Sequence, residues 1–146
     1  MKVKVVPFKW GEQNMTRYCR EIRDKVFLKE QRVPFPLEHA GNSEARFYLA
    51  YVDRSDGRGE VPAGCARYRI TPQGYKLERF AVLPEFRNGG VGKALVNRVM
   101  HDVSSEQTYL HAQESARRFW EQNGFEVCRE PFFEADIRHF HMKAAL

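Results

Sequence analysis

A chain of 146 residues with 42% hydrophobic and 29% charged residues has the size and composition of one folded domain, which excludes a disordered chain and leaves any cofactor and substrate to share one core. The apolar stretch at 1–8 is too short for a signal peptide, and no later segment approaches the ~18 apolar residues of a membrane span, so the expected location is the cytoplasm with no membrane partner. The formal charge of +5 favours an anionic partner, but the basic residues are interleaved with acids and form no nucleic-acid arm; a phosphate-bearing small molecule accounts for the balance better than a nucleic acid.

Lys2 to Phe8 alternates as a half-buried strand does, and Met15 to Phe27 carries apolar residues at three- and four-residue spacing, which predicts a helix. Pro34 and Pro36 prevent its simple continuation, and the segment from Glu30 to Asn42 reads as a loop of the kind that often carries substrate specificity. Phe47 to Val52 and Ala63 to Ile70 predict two strands of a hairpin, with the turn at Asp53 to Gly59, and Tyr75 to Leu83 a third strand antiparallel to its neighbour. A helix is predicted from Val91 to Val103, a strand over Thr108 to Ala112, and a short helix over Ser115 to Asn123 stopped by Gly124. Strands over Phe125 to Cys128 and Ile137 to Met142 complete one mixed α/β sheet with helices packed on it, a single domain over residues 1–146.

Cys19, Cys65 and Cys128 are odd in number and widely spaced, with no Cys-x-x-Cys pair, which argues against a disulfide framework and against a metal site. The informative segment is Phe80-Ala-Val-Leu-Pro-Glu-Phe-Arg-Asn-Gly-Gly-Val-Gly-Lys, a strand followed by Arg87-x-x-Gly90-x-Gly92 at the opening of a helix. Glycines let successive backbone N–H groups approach an anion, and the positive end of the helix dipole adds to them. The spacing is neither that of a nucleoside-triphosphate loop nor that of a dinucleotide-binding turn. Many glycine-rich turns open helices that bind nothing, so the pattern alone leaves a purely structural turn open.

Beyond that turn, Ile22-Arg-Asp-Lys-Val-Phe-Leu-Lys-Glu-Gln-Arg-Val-Pro, Lys76-Leu-Glu-Arg-Phe-Ala-Val, Ala116-Arg-Arg-Phe-Trp-Glu-Gln-Asn-Gly-Phe and Phe133-Glu-Ala-Asp-Ile-Arg-His-Phe-His-Met are spread along nearly the whole chain. With them the chain resembles the GNAT N-acetyltransferase superfamily, in its YjcF-like and ElaA-like bacterial branch. The resemblance implies a GNAT-like, mostly antiparallel central sheet flanked by helices, and acetyl-coenzyme A as acyl donor without a metal. The pyrophosphate is then expected on Arg87, Asn88, Gly89, Gly90, Val91, Gly92 and Lys93. Phe80, Ala81 and Val82 are expected to splay from the neighbouring strand and offer backbone groups to the pantetheine arm. Gln113 falls where relatives place an amide near the donor, although a helix-start glutamine reads equally well. A homodimer is among the states open to such a chain.

An amine is mostly ammonium at neutral pH and must lose a proton before it attacks a thioester. Glu78 is the first candidate for the base, directly or through water, against a reading as a salt-bridged strand carboxylate. Glu30 and Glu38 are further carboxylates. Many relatives carry a tyrosine where this chain has Trp120, and an indole N–H donates a hydrogen bond but is no acid, which leaves Ser115 or water to stabilise the leaving thiolate. Trp120 reads either as part of the donor site or as core beside Phe119 and Phe125. Glu30, Arg69 and His139, with Arg79 and His111, are candidates to line the acceptor pocket, where cations suit a phosphorylated or carboxylated amine. The expected reaction is direct transfer of acetyl to a small-molecule or peptide primary amine in a ternary complex. The alternative is an acyl-coenzyme A sensor without catalysis.

Overall fold

The alternation of Lys2–Lys9 builds strand β1, which pairs antiparallel with β2, Arg46–Arg54. The structure, a computed structural model, describes residues 2–30, 44–54, 57 and 59–145, without the side chains of residues 13 and 28–30. Glu38, and the side chain of Glu30, lie outside the described residues, as does most of the turn anticipated between Asp53 and Gly59. β2 is buried along most of its length, which fits a central strand. It pairs with β3, Gly59–Thr71, and β3 with β4, Gly74–Val82, both antiparallel as expected.

The first helix departs from expectation. α1 is α-helical over Gln13–Arg23 and continues as a π-helical segment over Asp24–Glu30. Val26 and Phe27, in the π-helical part, are buried together with Cys19 and Ile22 of the α-helical part, as the apolar spacing anticipates. Helix α2 covers Val91–Asp102, with Val91, Leu95, Val96 and Val99 buried, the face that the sequence period marks. After β5, Thr108–Gln113, a 3₁₀ turn at Glu114–Ala116 leads into the short helix α3, Arg117–Gln122, then β6 at Phe125–Val127. The sheet also gains a strand that the sequence reading lacks. β7, Phe132–Glu134, forms a hairpin with β8, Ile137–Ala144, across Ala135 and Asp136 with φ of 51° and 61°. Paired left-handed residues give a turn whose twist matches the flanking strands.

The eight strands run in the order β1-β2-β3-β4-β5-β8-β6, with β7 on β8. α1 and α2 take opposite faces. Cys65 Sγ points to the Cys19 carbonyl oxygen of α1 at 3.9 Å, whereas a Cβ on the adjacent Gly64 would meet Val91 and Leu95 of α2, as alternation along β3 requires.

Two irregularities in β4 shape the site. Cys65 faces Ala81 and Arg67 faces Glu78, so Arg79 and Phe80 stand opposite Ala66 alone, a bulge with Arg79 at φ 55°. The parallel pairing of β4 with β5 covers only Tyr75–Leu77 against Thr108–Leu110, although β4 runs on to Val82 and β5 to Gln113. Beyond Leu77 and Leu110 the sheet forks.

Candidate active site

The fork opens into a cleft of about 790 Å³ between β4, α2 and α3. Phe80, Ala81 and Val82 form its β4 wall; Arg87, Asn88, Gly90, Val91, Gly92 and Lys93 form its α2 end. Ser115, Ala116, Phe119 and Trp120 line it from the α3 side. Val26, on the α1 side of the sheet, lines the same cleft, so the opening reaches through the fork from one face toward the other.

The α2 end is built to present backbone N–H groups. Asn88 and Gly90 take left-handed conformations, φ 64° and 84°, and Gly90 is the residue that precedes the helix. The helical ladder begins with Ala94 N–H donating to the Gly90 carbonyl at 3.0 Å, so the amides of Val91, Gly92 and Lys93 belong to the first turn, where no intrahelical acceptor exists. Gly92 has a packing reason as well, since a Cβ there would stand 3.0 Å from the Phe119 ring. Arg87 is exposed at the mouth, its Nε–H donating to the Val82 carbonyl at 3.0 Å and tying the turn to the end of β4. An exposed arginine, an exposed Lys93 and a row of first-turn amides make an anion site, and the apolar walls suit a flexible, partly apolar chain leading inward.

Trp120 is buried at 6% exposure and meets Phe80, Phe119 and Phe125 edge to face, with centroids 4.9, 5.2 and 5.3 Å away. It is core and cleft wall at once. Ser115 is exposed on that wall, the hydroxyl of the pair considered at this position.

Glu78 lies on the α1 face of β4, in an ion-pair cluster. Arg69 Nε–H reaches it at 2.6 Å and Nη2–H at 3.0 Å, Arg67 stands at 3.2 Å and Lys76 Nζ at 3.3 Å. Burial pushes its carboxyl upward, but the Arg69 hydrogen bond and the charges of Arg67 and Lys76 outweigh it and hold the group at about 2. Burial in turn brings the Arg67 guanidinium down to about 10, with Glu78 opposing and Arg23, Arg79 and Arg69 adding to the fall. A carboxylate fixed in this way has little affinity for a proton at neutral pH.

On the same face, past the fork, β5 and β8 carry a group of rings. His111 meets His141, Phe132 and Tyr109 edge to face, with centroids 4.6, 5.1 and 5.9 Å away. His139 stacks on Phe132 at 5.3 Å and is 8% exposed, its Nδ1 lying 2.7 Å from the Ile137 carbonyl oxygen. Burial, and then the charges of Lys76, His141 and His139, lower the His111 imidazole to about 4.

The structure therefore separates the sequence candidates. Phe80 to Val82, most of the Arg87 to Lys93 turn, Ser115 and Trp120 share one cleft. Gly89 and Gln113 are not among its lining residues; Gln113 ends β5 and stands opposite His139 in β8. Glu78, Arg69 and His139 sit on the polar sheet face instead. Sequence reading placed Val26 on a buried helix face and Phe119 in the core beside Trp120, and assigned neither of them, nor Phe132 or His141, to a site. For Phe119 and Phe132 the signal was present as aromatic runs; Val26 was legible as part of the apolar face of the first helix but not as a cleft residue. Cys65 is buried against α1, a setting for packing rather than nucleophilic attack.

A forked, bulged strand leading to an amide-rich helix start gives a mixed α/β fold with a cleft suited to an anion, and comparison with known proteins shows its family. Residues 13–146 match the acetyltransferase (GNAT) domain, and the chain belongs to that family. It is 32% identical over 125 residues to the uncharacterized N-acetyltransferase YjcF of Bacillus subtilis strain 168, covering 83% of this chain and 86% of that protein. Among solved structures it superposes on an acyl-CoA N-acyltransferase from Pseudomonas aeruginosa with TM-score 0.76 at 19% identity, covering 99% and 100% of the two chains. Escherichia coli ElaA gives 0.76 at 18% identity over 97% and 99%.

Proposed function

We propose that the whole chain is one acetyltransferase domain that moves an acetyl group from acetyl-coenzyme A to a primary amine by direct attack in a ternary complex. The observation that carries this reading is the continuous cleft from the first-turn amides of α2 to the forked edge of β4. The diphosphate of the donor rests on the amides from Asn88 to Lys93, with Arg87 and Lys93 adding charge. The pantetheine arm runs along Phe80 to Val82, and the thioester lies at the fork. Ser115 offers its hydroxyl to the leaving thiolate, a role that the Trp120 indole cannot fill as an acid. Glu78 organises Arg67, Arg69 and Lys76 on the acceptor side rather than receiving the amine's proton. No helix among the described residues is long and apolar enough to cross a membrane, and we place the reaction in the cytoplasm.

The lack of a hydroxyl at Trp120 is what favours the rival reading, a donor-binding sensor. Calorimetric titration with acetyl-coenzyme A, followed by thiol release with a panel of amines, separates the two. Binding with turnover supports transfer, and binding with no turnover on a broad panel supports the sensor. Arg87→Ala is expected to weaken donor binding about 10-fold or more, the worth of one charge-assisted hydrogen bond. No heat from the donor in the folded wild type, with Arg87→Ala indistinguishable from it, overturns both readings.

A further inference from the structure

Transfer to an amine needs a group that takes the proton released from nitrogen, and the ion pairs around Glu78 deny that role to the carboxylate nearest the fork. The register of β4 and β5 points to its replacement. Leu77 and Leu110 are the last paired residues, and Glu78 and His111 are the next residue on each strand. Their shared face follows from the register: Lys76 stands opposite Tyr109, and two residues further along each strand alternation returns Glu78 and His111 to that face. His111 is not among the residues that line the donor cleft; it stands on β5 at the first position past the pairing, beside the point where β4 leaves for that cleft.

We propose that His111 accepts the proton from the acceptor nitrogen as that nitrogen bonds to the thioester carbon. This rests on the transfer reading above. The amine reaches the fork neutral, having lost its first proton to solvent. Its lone pair forms the C–N bond, the C–S bond breaks with its electrons leaving on sulfur, and the nitrogen's surplus proton passes to a ring nitrogen of His111. His111 returns that proton to solvent, from which the coenzyme A thiolate is protonated, so amine and thioester give amide and thiol.

The surroundings keep the imidazole ready for this step. Among the described residues its contacts are ring contacts, with Tyr109 on its own strand, His141 on β8 and Phe132 on β7, and they leave its nitrogens to a substrate. Lys76 and Glu78 from β4, and His139 and His141 from β8, are the charged and titratable groups that face it from neighbouring strands. Burial and Lys76 outweigh Glu78 and keep the ring neutral at pH 7. The nitrogen of the tetrahedral adduct is far more acidic than the free ammonium, so a weakly basic imidazole suffices to take its proton.

The test uses the full chain with acetyl-coenzyme A and four probe acceptors: spermidine, tyramine, glucosamine and a lysine-containing peptide. Both His111→Gln and His111→Ala are expected to lower kcat on the accepted probe about 100- to 1,000-fold, the usual worth of a positioned base, with donor KM within about threefold. Imidazole added to the buffer is expected to restore His111→Ala and not His111→Gln. For wild type, kcat/KM should rise with the pKa of the acceptor amine and show no second limb between pH 5 and neutrality. Three results overturn the proposal: His111→Gln with wild-type kcat; wild-type donor affinity and Tm in a slow His111→Ala that imidazole leaves slow; or an acid limb near pH 6.5 that persists unchanged in both variants. Wild-type donor binding with no thiol release on any probe would instead remove the transfer reading on which the proposal stands.

Discussion

Arg69 holds Glu78 in a two-pronged grip across adjacent strands, with Nε–H on Oε1 at 2.6 Å and Nη2–H on Oε2 at 3.0 Å. The pair joins β3 to β4 at the level where β4 is about to leave β5, so the fork begins at a strand anchored on its other edge. Arg67, 1% exposed, depends on the same carboxylate.

Removing that charge takes a carboxylate partner from the buried Arg67 and from the partly exposed Arg69 and Lys76. Glu78→Gln is expected to cost about 3–5 kcal/mol at pH 7, the usual result of breaking one side of a buried ion pair. The Glu78 carboxyl is held below its ordinary value, so its contribution is fully present above about 4.5 and is lost as pH falls toward about 2. Urea denaturation at pH 7 and at pH 3 checks this, with the gap between wild type and variant narrowing at the lower pH.

A second acid-sensitive window belongs to His111. Its folded value near 4 lies below the ordinary 6.5, so between those limits the unfolded chain binds a proton that the folded chain refuses, and stability falls as pH drops through that range. His141 is lowered too, by burial and then by Arg129 and Lys76, and acts in the same direction. His111→Phe should flatten the decline of thermal stability between pH 6.5 and pH 4 while leaving the lower Glu78 window in place. A decline of unchanged steepness would contradict the assignment.

Gly64 is a point of close approach that no turn requires. A Cβ there would stand 2.9 Å from the Ala81 carbonyl oxygen, 3.0 Å from Val91 Cγ1 and 3.3 Å from Leu95 Cδ1. Relief means moving the backbone of β4 at the cleft wall or lifting α2 from the sheet. Gly64→Ala is expected to destabilise by about 1–3 kcal/mol, as overpacking does, and to weaken donor binding beyond what the lost stability explains. Calorimetry at a temperature where the variant is fully folded measures the second effect.

The hairpins of β2, β3 and β4 and the buried stripe of α2 were legible because period and turn chemistry are local. Arg87, Gly90 and Gly92 were legible for the same reason, since a strand, a glycine-rich turn and a helix lie consecutively in the chain. The end of α1 at Arg23 was not, because apolar spacing continues to Phe27 and only the change to a π turn separates the two pieces. β7 was missed because it is three residues long, too short for a period.

Residues far apart in the chain had to meet before the rest could be assigned. Glu78 read either as a base or as a salt-bridged strand carboxylate until the register of β3 set Arg67 and Arg69 against it, because a carboxylate's proton affinity depends on which charges surround it. His111 read either as an acceptor-pocket residue or as a structural strand histidine, and only the sheet placed it where β4 and β5 part, with His141 of β8 against its ring. The chain's own order was enough to mark where an anion could be held; which side chain could move a proton depended on strand pairing, because burial and neighbouring charge exist only once the sheet has formed.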